Sequence, residues 1–322
     1  MKEKTKKKQI IRLWKGAFDD SDKFIRLYFN SVYRDENAIV LEKKGKILAS
    51  LQMLPYTMTF CGEEISVAYI SGACTAPSEQ RKGLMKQLLQ NAFAEMQQRK
   101  IALTALIPAE KWLFNYYRLQ EYTEVFEFSM KVYTRHEYIV PEKELTVLQA
   151  GANPGDDVYA FFNRKLRERP ACILHTYDDL VIILKDLKIS KGKCFVAYTL
   201  DRQPVGMAFA LSPNKNCIPE SVLIKEILFE NEKVRQHLLF EITKHFKAFK
   251  AIYRIPFCDS LITYPYGMAR VIDAERLIRI WSKAHPESGV SVSEMERMDV
   301  KTLTSHLFDY PGKTACMSLM LD

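Results

Sequence analysis

The segment that most narrows the folds open to this chain runs from Ile65 to Met96. An apolar stretch, Ile65 to Thr75, reads as a buried strand. A polar loop follows, Ser78-Glu79-Gln80-Arg81-Lys82-Gly83, and then Met85, Leu88, Leu89, Ala92 and Met96 recur at helical spacing. A strand that feeds through such a loop into an amphipathic helix directs the free N–H groups of the helix start at one spot, where the helix dipole favours negative charge. Gly83 lets the backbone approach an anion with no side chain between, and Arg81 and Lys82 can add charge-assisted contacts. The spacing suits a diphosphate.

Strands and helices alternate on either side. Residues 9–14 read as a strand, Asp20–Tyr33 as a helix with Phe24, Leu27, Tyr28 and Ser31 on one side, and Ala38–Leu41 as a strand. Lys43-Lys44-Gly45-Lys46 is a hairpin turn into a strand reaching about Phe60, and Gly62-Glu63-Glu64 turns the chain into the apolar stretch. Beyond the helix come a strand at Ala102–Ile107, a helical stretch with Tyr116 and Tyr117, and a strand at Val125–Tyr133. The expected order is strand, helix, three strands, helix, strand, helix, strand.

At 322 residues the chain exceeds one ordinary core, and three segments are expected: 1–140, 141–265 and 266–322. The middle one repeats the grammar of the first. Helices are expected over Asp157–Arg167 and Tyr177–Leu187, and strands over Cys194–Leu200, Val205–Leu211 and Val222–Phe229. A helix with Val234, Leu238, Leu239, Ile242 and Phe246 inward and a strand at Ala251–Ile255 complete it. It reads as a degenerate copy: in place of Gln80–Gly83 it has Asn231-Glu232-Lys233-Val234, with no glycine between Gly206 and Gly267. The last segment is expected to hold a strand at Met268–Asp273, helices at Ala274–Lys283 and Asp299–Phe308, and a strand-like Ala315–Leu321. It is too short for an independent core and must pack against the others.

Composition removes several classes. Hydrophobic residues are 48% and charged residues 27%, which suits a globular chain. No apolar run approaches the ~20 residues a bilayer requires, so a cytoplasmic protein with no membrane partner is expected. The seven cysteines are widely spaced with no C-x-x-C, and the six histidines form no ligand pair, which argues against a disulfide framework or a metal site. The net charge of +8 includes Lys2, Lys4, Lys6, Lys7 and Lys8 at the start, which read as a solvated end. Elsewhere charges are mixed, without the basic and aromatic stripe of a nucleic-acid surface.

Gln80-Arg81-Lys82-Gly83-Leu84-Met85 resembles the acyl-CoA-binding signature of GNAT acetyltransferases, [Q/R]-x-x-G-x-[G/A], with Met85 departing at the last position. A large apolar residue there is similar to what the enhanced-intracellular-survival acetyltransferases show, and Tyr69–Pro77 resembles the strand before their signature. That resemblance implies an α/β architecture with a mixed sheet: tandem GNAT folds followed by a shortened segment resembling sterol carrier protein. It also implies acetyl-CoA as co-substrate. Ala73 and Thr75 would pair with the pantetheine arm as an extra strand, while Gln80, Arg81, Lys82, Gly83, Leu84 and Met85 hold the diphosphate. Tyr117-Arg118-Leu119-Gln120-Glu121-Tyr122 is similar to the family's Y-x-x-x-G-[F/Y] segment, with Glu121 in place of glycine. The family's thiolate-protonating tyrosine then carries over to Tyr117, with Tyr116 as the alternative one residue away. The family's C-terminal carboxylate, which reaches into the active site, carries over to Asp322.

The chemistry places demands on protons. A tyrosine near pKa 10 is protonated at pH 7 and can give its proton to a thiolate, whereas an amine near pKa 10 must lose one, at a cost of ~4 kcal/mol. The strand Val67–Thr75 carries no carboxylate, which leaves Glu63, Glu64 and Glu110 as bases near in sequence. Cys74 as an acyl carrier is disfavoured by its apolar neighbours, which raise a thiol's pKa. The expected activity is metal-free acetyl transfer to a primary amine, whether a lysine, a polyamine or an amino sugar. The competing readings are an aminoacyl-tRNA-dependent peptidyltransferase and a non-catalytic acyl-CoA sensor or scaffold; assembly into a homo-oligomer is left open.

Overall fold

The computed structural model describes residues 3–135, 144–212, 221–258, 260–309 and 312–321. The chain opens with two helices, α1 (Glu3–Ala17) and α2 (Asp22–Ser31). The strand expected at residues 9–14 is therefore part of a helix. Ile10 and Trp14, one helical turn apart, are its buried residues, and Lys6 from the turn before reaches the carbonyls of Asp35 and Ala38, each at 3.0 Å.

Strands β1 (Ala38–Lys43), β2 (Lys46–Phe60) and β3 (Glu63–Thr75) form an antiparallel meander. Helix α3 (Leu84–Gln98) then crosses over to β4 (Leu103–Leu106), which pairs parallel with β3. Helix α4 (Lys111–Arg118) and β5 (Thr123–Thr134) follow. The next stretch comprises β6 (Leu145–Gln149), α5 (Asp156–Arg167), β7 (Ala171–Leu174), α6 (Tyr177–Ile189), β8 (Lys193–Thr199), β9 (Pro204–Leu211), β10 (Ser221–Phe229), α7 (Glu232–His245) and β11 (Lys250–Pro256). The chain closes with β12 (Thr263–Val271), α8 (Ala274–Ala284), α9 (Val292–Glu296), α10 (Val300–Asp309) and β13 (Ala315–Cys316). This is a mixed α/β architecture.

The chain divides into two compact units: Met1–Phe126 with Tyr266–Lys313, and Glu127–Pro265 with Thr314–Leu321. Residues after 265 thus join these units instead of forming a third. In the first unit one sheet face meets α3: Ala49, Leu51, Met53, Ala68 and Ile70 pack with Leu88, Leu89, Ala92 and Met96. The helical positions are the ones read from the 3.6 spacing. An aromatic group, Trp14, Tyr28, Phe29 and Tyr33, comes from α1, α2 and the residues just after them. β12 pairs antiparallel with β4, from Met268↔Leu106 to Val271↔Leu103.

In the second unit β5, β11, β10, β9, β8 and β6 lie side by side, with β10 and β11 parallel. Helix α7 supplies Val234, Leu238, Leu239 and Ile242 to one core, and α5 and α6 supply Phe161, Phe162, Leu180 and Leu184 to another. The succession β8, β9, β10, α7, β11 repeats β1, β2, β3, α3, β4: antiparallel strands, then a helix crossing to a parallel strand. Of the strand-like Ala315–Leu321, only Ala315 and Cys316 pair, in parallel with β7; residues 317–321 are buried without strand geometry.

Candidate active site

The ladder between β3 and β4 stops at Tyr69↔Ala105, while β3 continues to Thr75 with β2 still beside it at Ala49↔Thr75. The two parallel strands therefore part, and Ile70–Thr75 run on past the last β4 pair. At the parting, Thr104 Oγ1 donates to the Ala68 carbonyl at 2.9 Å. Because that hydroxyl has a single proton, Tyr122 Oη, 3.1 Å away, is the donor to Thr104. This buried pair of bonds pins the apex.

Above the apex β3 bulges. Ser50 faces Cys74 whereas Gln52 faces Ser71, so Gly72 and Ala73 together oppose Leu51. Gly72 adopts φ +59°, and a Cβ there would sit 2.1 Å from the Trp14 ring. Only glycine meets both conditions. The bulge turns Ala73 and Thr75, the residues assigned to the pantetheine arm, along the parted strand.

The loop after β3 makes a single helical turn at Pro77–Glu79 and then leaves Gln80, Arg81, Lys82 and Gly83 exposed. Arg81 (φ +62°) and Gly83 (φ +77°) are left-handed on either side of Lys82, an alternation of the kind that can turn successive backbone N–H groups into a concavity suited to an anion. Helix α3 begins at Gly83 with no side-chain cap, and its first backbone bond is Gln87 N–H to the Gly83 carbonyl. Among the described residues, the N–H groups from Arg81 to Lys86 donate to no acceptor. Nothing lies within 4 Å of where a Gly83 Cβ would stand. Leu84 and Met85 pack their side chains against the first core, so the bulky last residue of the motif keeps its backbone N–H at the concavity. Lys82 is engaged with Glu79 at 3.1 Å, which leaves Arg81 as the loop cation without an ion pair among the described residues.

The corresponding turn of the second unit is closed by its own side chain. Asn231 Oδ1 accepts the Val234 N–H at 3.1 Å at the start of α7, and the neighbouring Glu230 pairs with Arg164. Gly206 of β9 lies so close to α7 that a Cβ would meet Val234 at 2.6 Å and Leu238 at 2.8 Å.

Tyr117, on α4, packs its ring in the same core as Ala68, Ile70, Leu88 and Leu106, edge-on to Tyr122 at 5.7 Å. Its hydroxyl forms no hydrogen bond among the described residues. Burial, and secondarily Tyr116, raise its pKa well above that of an ordinary tyrosine, so it is a phenol at neutral pH. Tyr116 is half-buried and is also raised by burial. Burial pushes the Cys74 thiol up to about 11, against the hydrogen bond from Ser50 that lowers it, which makes it a poor nucleophile.

The carboxylates near in sequence are not near in space. Glu63 and Glu64 sit at the β2–β3 turn; Gly72 lies eight residues along the strand from Glu64, roughly 26 Å at ordinary strand rise. Glu63 lies 3.6 Å from Lys283 there. Glu110 is the residue before α4, about 10 Å along the helix axis from Tyr117. Asp322 lies outside the described residues. The sequence reading missed the bulge and the Thr104–Tyr122 latch. The one visible signal was a glycine, Gly72, inside an otherwise apolar strand.

Residues 2–139 match the acetyltransferase (GNAT) domain family. No curated protein matches the chain in sequence. Among solved structures, a conserved protein of unknown function from Enterococcus faecalis V583 is similar with TM-score 0.70 and 14% identity, over 86% of this chain and 73% of the other. A GCN5-related N-acetyltransferase from Anabaena variabilis ATCC 29413 gives 0.70 and 15% over 84% and 71%. Eis1 from Mycobacterium abscessus gives 0.66 and 10% over 87% and 74%. At these identities the likeness is one of fold. The parted strands, the bulge and the uncapped α3 thus stand in the segment, residues 2–139, that matches the acetyltransferase (GNAT) domain family, and the chain resembles Eis1 in fold.

Proposed function

We propose that the chain transfers an acetyl group from acetyl-CoA to a primary amine, by direct attack of the amine on the thioester. The observation that carries this reading is the run of unengaged N–H groups from Arg81 to Lys86 at the uncapped start of α3, beside a strand that has parted from its neighbour. Such a concavity stabilises a diphosphate by many weak donors and the helix dipole at once. Gly83 gives the phosphates access, and Arg81 adds charge. The backbone of Ala73 and Thr75 takes the pantetheine arm in place of the missing strand. The enzyme's contribution is then to hold two reactants and manage protons.

Tyr117 is the proton donor to the departing thiolate. Its buried ring fixes the hydroxyl; burial keeps the proton on oxygen at neutral pH and makes the phenol a weaker acid, an opposition that charge developing on sulfur must offset. The amine's own proton must leave by another route, and the nearby side chains Ser71 and Cys74 are no bases at neutral pH. Water, with Asp322 attracting and orienting the cationic amine, fills that role. Appending residues after Asp322 checks this: a folded, extended protein with full activity removes Asp322 from the site.

Calorimetry with acetyl-CoA, CoA and a bulk RNA tests the reading as a whole. Binding of acetyl-CoA but not RNA, with thiol release on a panel of lysine, polyamine and amino-sugar acceptors, is expected. Gly83→Glu places a carboxylate against the diphosphate and should weaken acetyl-CoA binding at least tenfold, about 1.4 kcal/mol. Unchanged affinity in the folded variant would remove residues 80–85 from the site.

A further inference from the structure

Cys172 and Cys316 are distant in sequence, but the parallel pairing of β13 with β7 makes them direct partners across neighbouring strands. Partners of this kind share a face, with Cα atoms about 4.8 Å apart, within the span of about 4.4–6.8 Å that a disulfide bridges. Both are thiols in this structure and both are buried. A third group completes the cluster. Arg169 Nη1 donates to Cys316 Sγ at 3.0 Å, and the same guanidinium grips the Glu226 carboxylate through two bonds of 2.9 Å each. The transfer chemistry uses none of these residues.

We propose that Cys172 and Cys316 are a dithiol that hydrogen peroxide converts to a disulfide, fastening the 315–321 segment to β7. The two sulfurs have different roles. The neighbouring Cys172 thiol and then the Arg169 guanidinium hold Cys316 below an ordinary thiol, whereas Cys172, beside Cys316 and deeply buried, with its S–H donating to the Ile173 carbonyl at 3.4 Å, is raised. Cys316 is therefore the attacking thiolate. Its sulfur forms a bond to one peroxide oxygen as the O–O bond breaks; hydroxide leaves and takes up a proton as water, giving a sulfenic acid. The Cys172 sulfur then attacks that sulfenic sulfur. The S–S bond forms, the S–O bond breaks, and the oxygen departs as water with the thiol proton of Cys172.

Access follows from how little backbone holds the segment. Only Ala315 and Cys316 pair with β7, and the His175 Nε2–Ser318 carbonyl bond at 2.9 Å is a further polar tie. A stretch held by so few bonds opens locally far more often than the sheet beneath it. Once the covalent bond is made, that opening is lost.

The test treats the reduced full-length protein with hydrogen peroxide, alkylates remaining thiols and maps peptides without reductant. The expected product is a peptide joining Cys172 to Cys316, lighter by about two mass units than its reduced parts and released by dithiothreitol. Oxidised protein should melt at higher temperature than reduced, and Cys172→Ser should leave a sulfenic acid on Cys316 that dimedone traps. Full alkylation of both thiols after peroxide overturns the proposal, as does a linked peptide with no rise in melting temperature. Mapping the wild type requires no variant to fold. Dimedone labelling elsewhere but not at Cys316 would overturn its role as the attacking sulfur.

Discussion

Tyr117 and Tyr116 are adjacent in sequence but differ in setting. One ring is locked in the core against Tyr122, and the other is half-exposed. A proton donor is useful when its position is fixed, and that condition favours Tyr117. Tyr117→Phe should therefore lower kcat by 10²–10⁴-fold, typical of a general acid, with the acetyl-CoA dissociation constant nearly unchanged. Steady-state rates and calorimetry on both variants decide. If Tyr116→Phe is impaired and Tyr117→Phe is fully active, the assignment moves by one residue. Glu121, where the family has glycine, takes φ +64° and pairs with Arg270 at 2.8 Å, which holds a strained position in place.

At the scale of elements, α3 and α7 are the same crossover helix with opposite beginnings. Gly83 leaves the first open, whereas Asn231 satisfies the second from within. One acetyl-CoA per chain should bind, and a titration giving two would show that the Asn231 turn opens to ligand. Much of this was legible in sequence. Met85, Leu88, Leu89, Ala92 and Met96 announce α3 by period, and the Asn231 turn betrays its lack of glycine. What was hidden has physical reasons. Residues 9–14 are too few to separate a period of 2 from one of 3.6, and the β-branched pair Ile10-Ile11 favours strand locally, so tertiary burial of Ile10 and Trp14 decided for helix. The parallel pairing of Ala315 and Cys316 with Ala171 and Cys172 leaves no local trace, because register between distant strands is set by packing. The bulge at Gly72 depends on Trp14, which approaches from another element.

For the molecule as a whole, acid is the revealing stress. His175 is buried in the second unit, and desolvation, opposed mainly by Asp179, holds its pKa below the ordinary value. The unfolded chain therefore binds a proton that the folded one refuses. Stability is full above about pH 6.5 and falls as pH drops below it, by at most about 1.4 kcal/mol per pH unit for one proton. Glu226 joins at lower pH. Burial alone would raise its carboxyl, but Arg169 keeps it below the usual range, so its contribution is lost only below about pH 4.5. Urea midpoints at pH 7 and 5.5 for wild type and His175→Gln test this, since glutamine can still donate to the Ser318 carbonyl but does not titrate. The variant should lose less on acidification; equal losses would assign the effect to other groups.

The parted strand has its own consequence for the unliganded protein. A backbone edge from Ile70 to Thr75 without a β4 partner is the sort of margin along which sheets recruit foreign strands. On the proposed function, a bound pantetheine arm would occupy that margin and act as a removable selvedge, so that acetyl-CoA would also guard the chain against self-association. Amide exchange at Ala73 and Thr75 should slow when acetyl-CoA is added, and protein stored without it should aggregate faster.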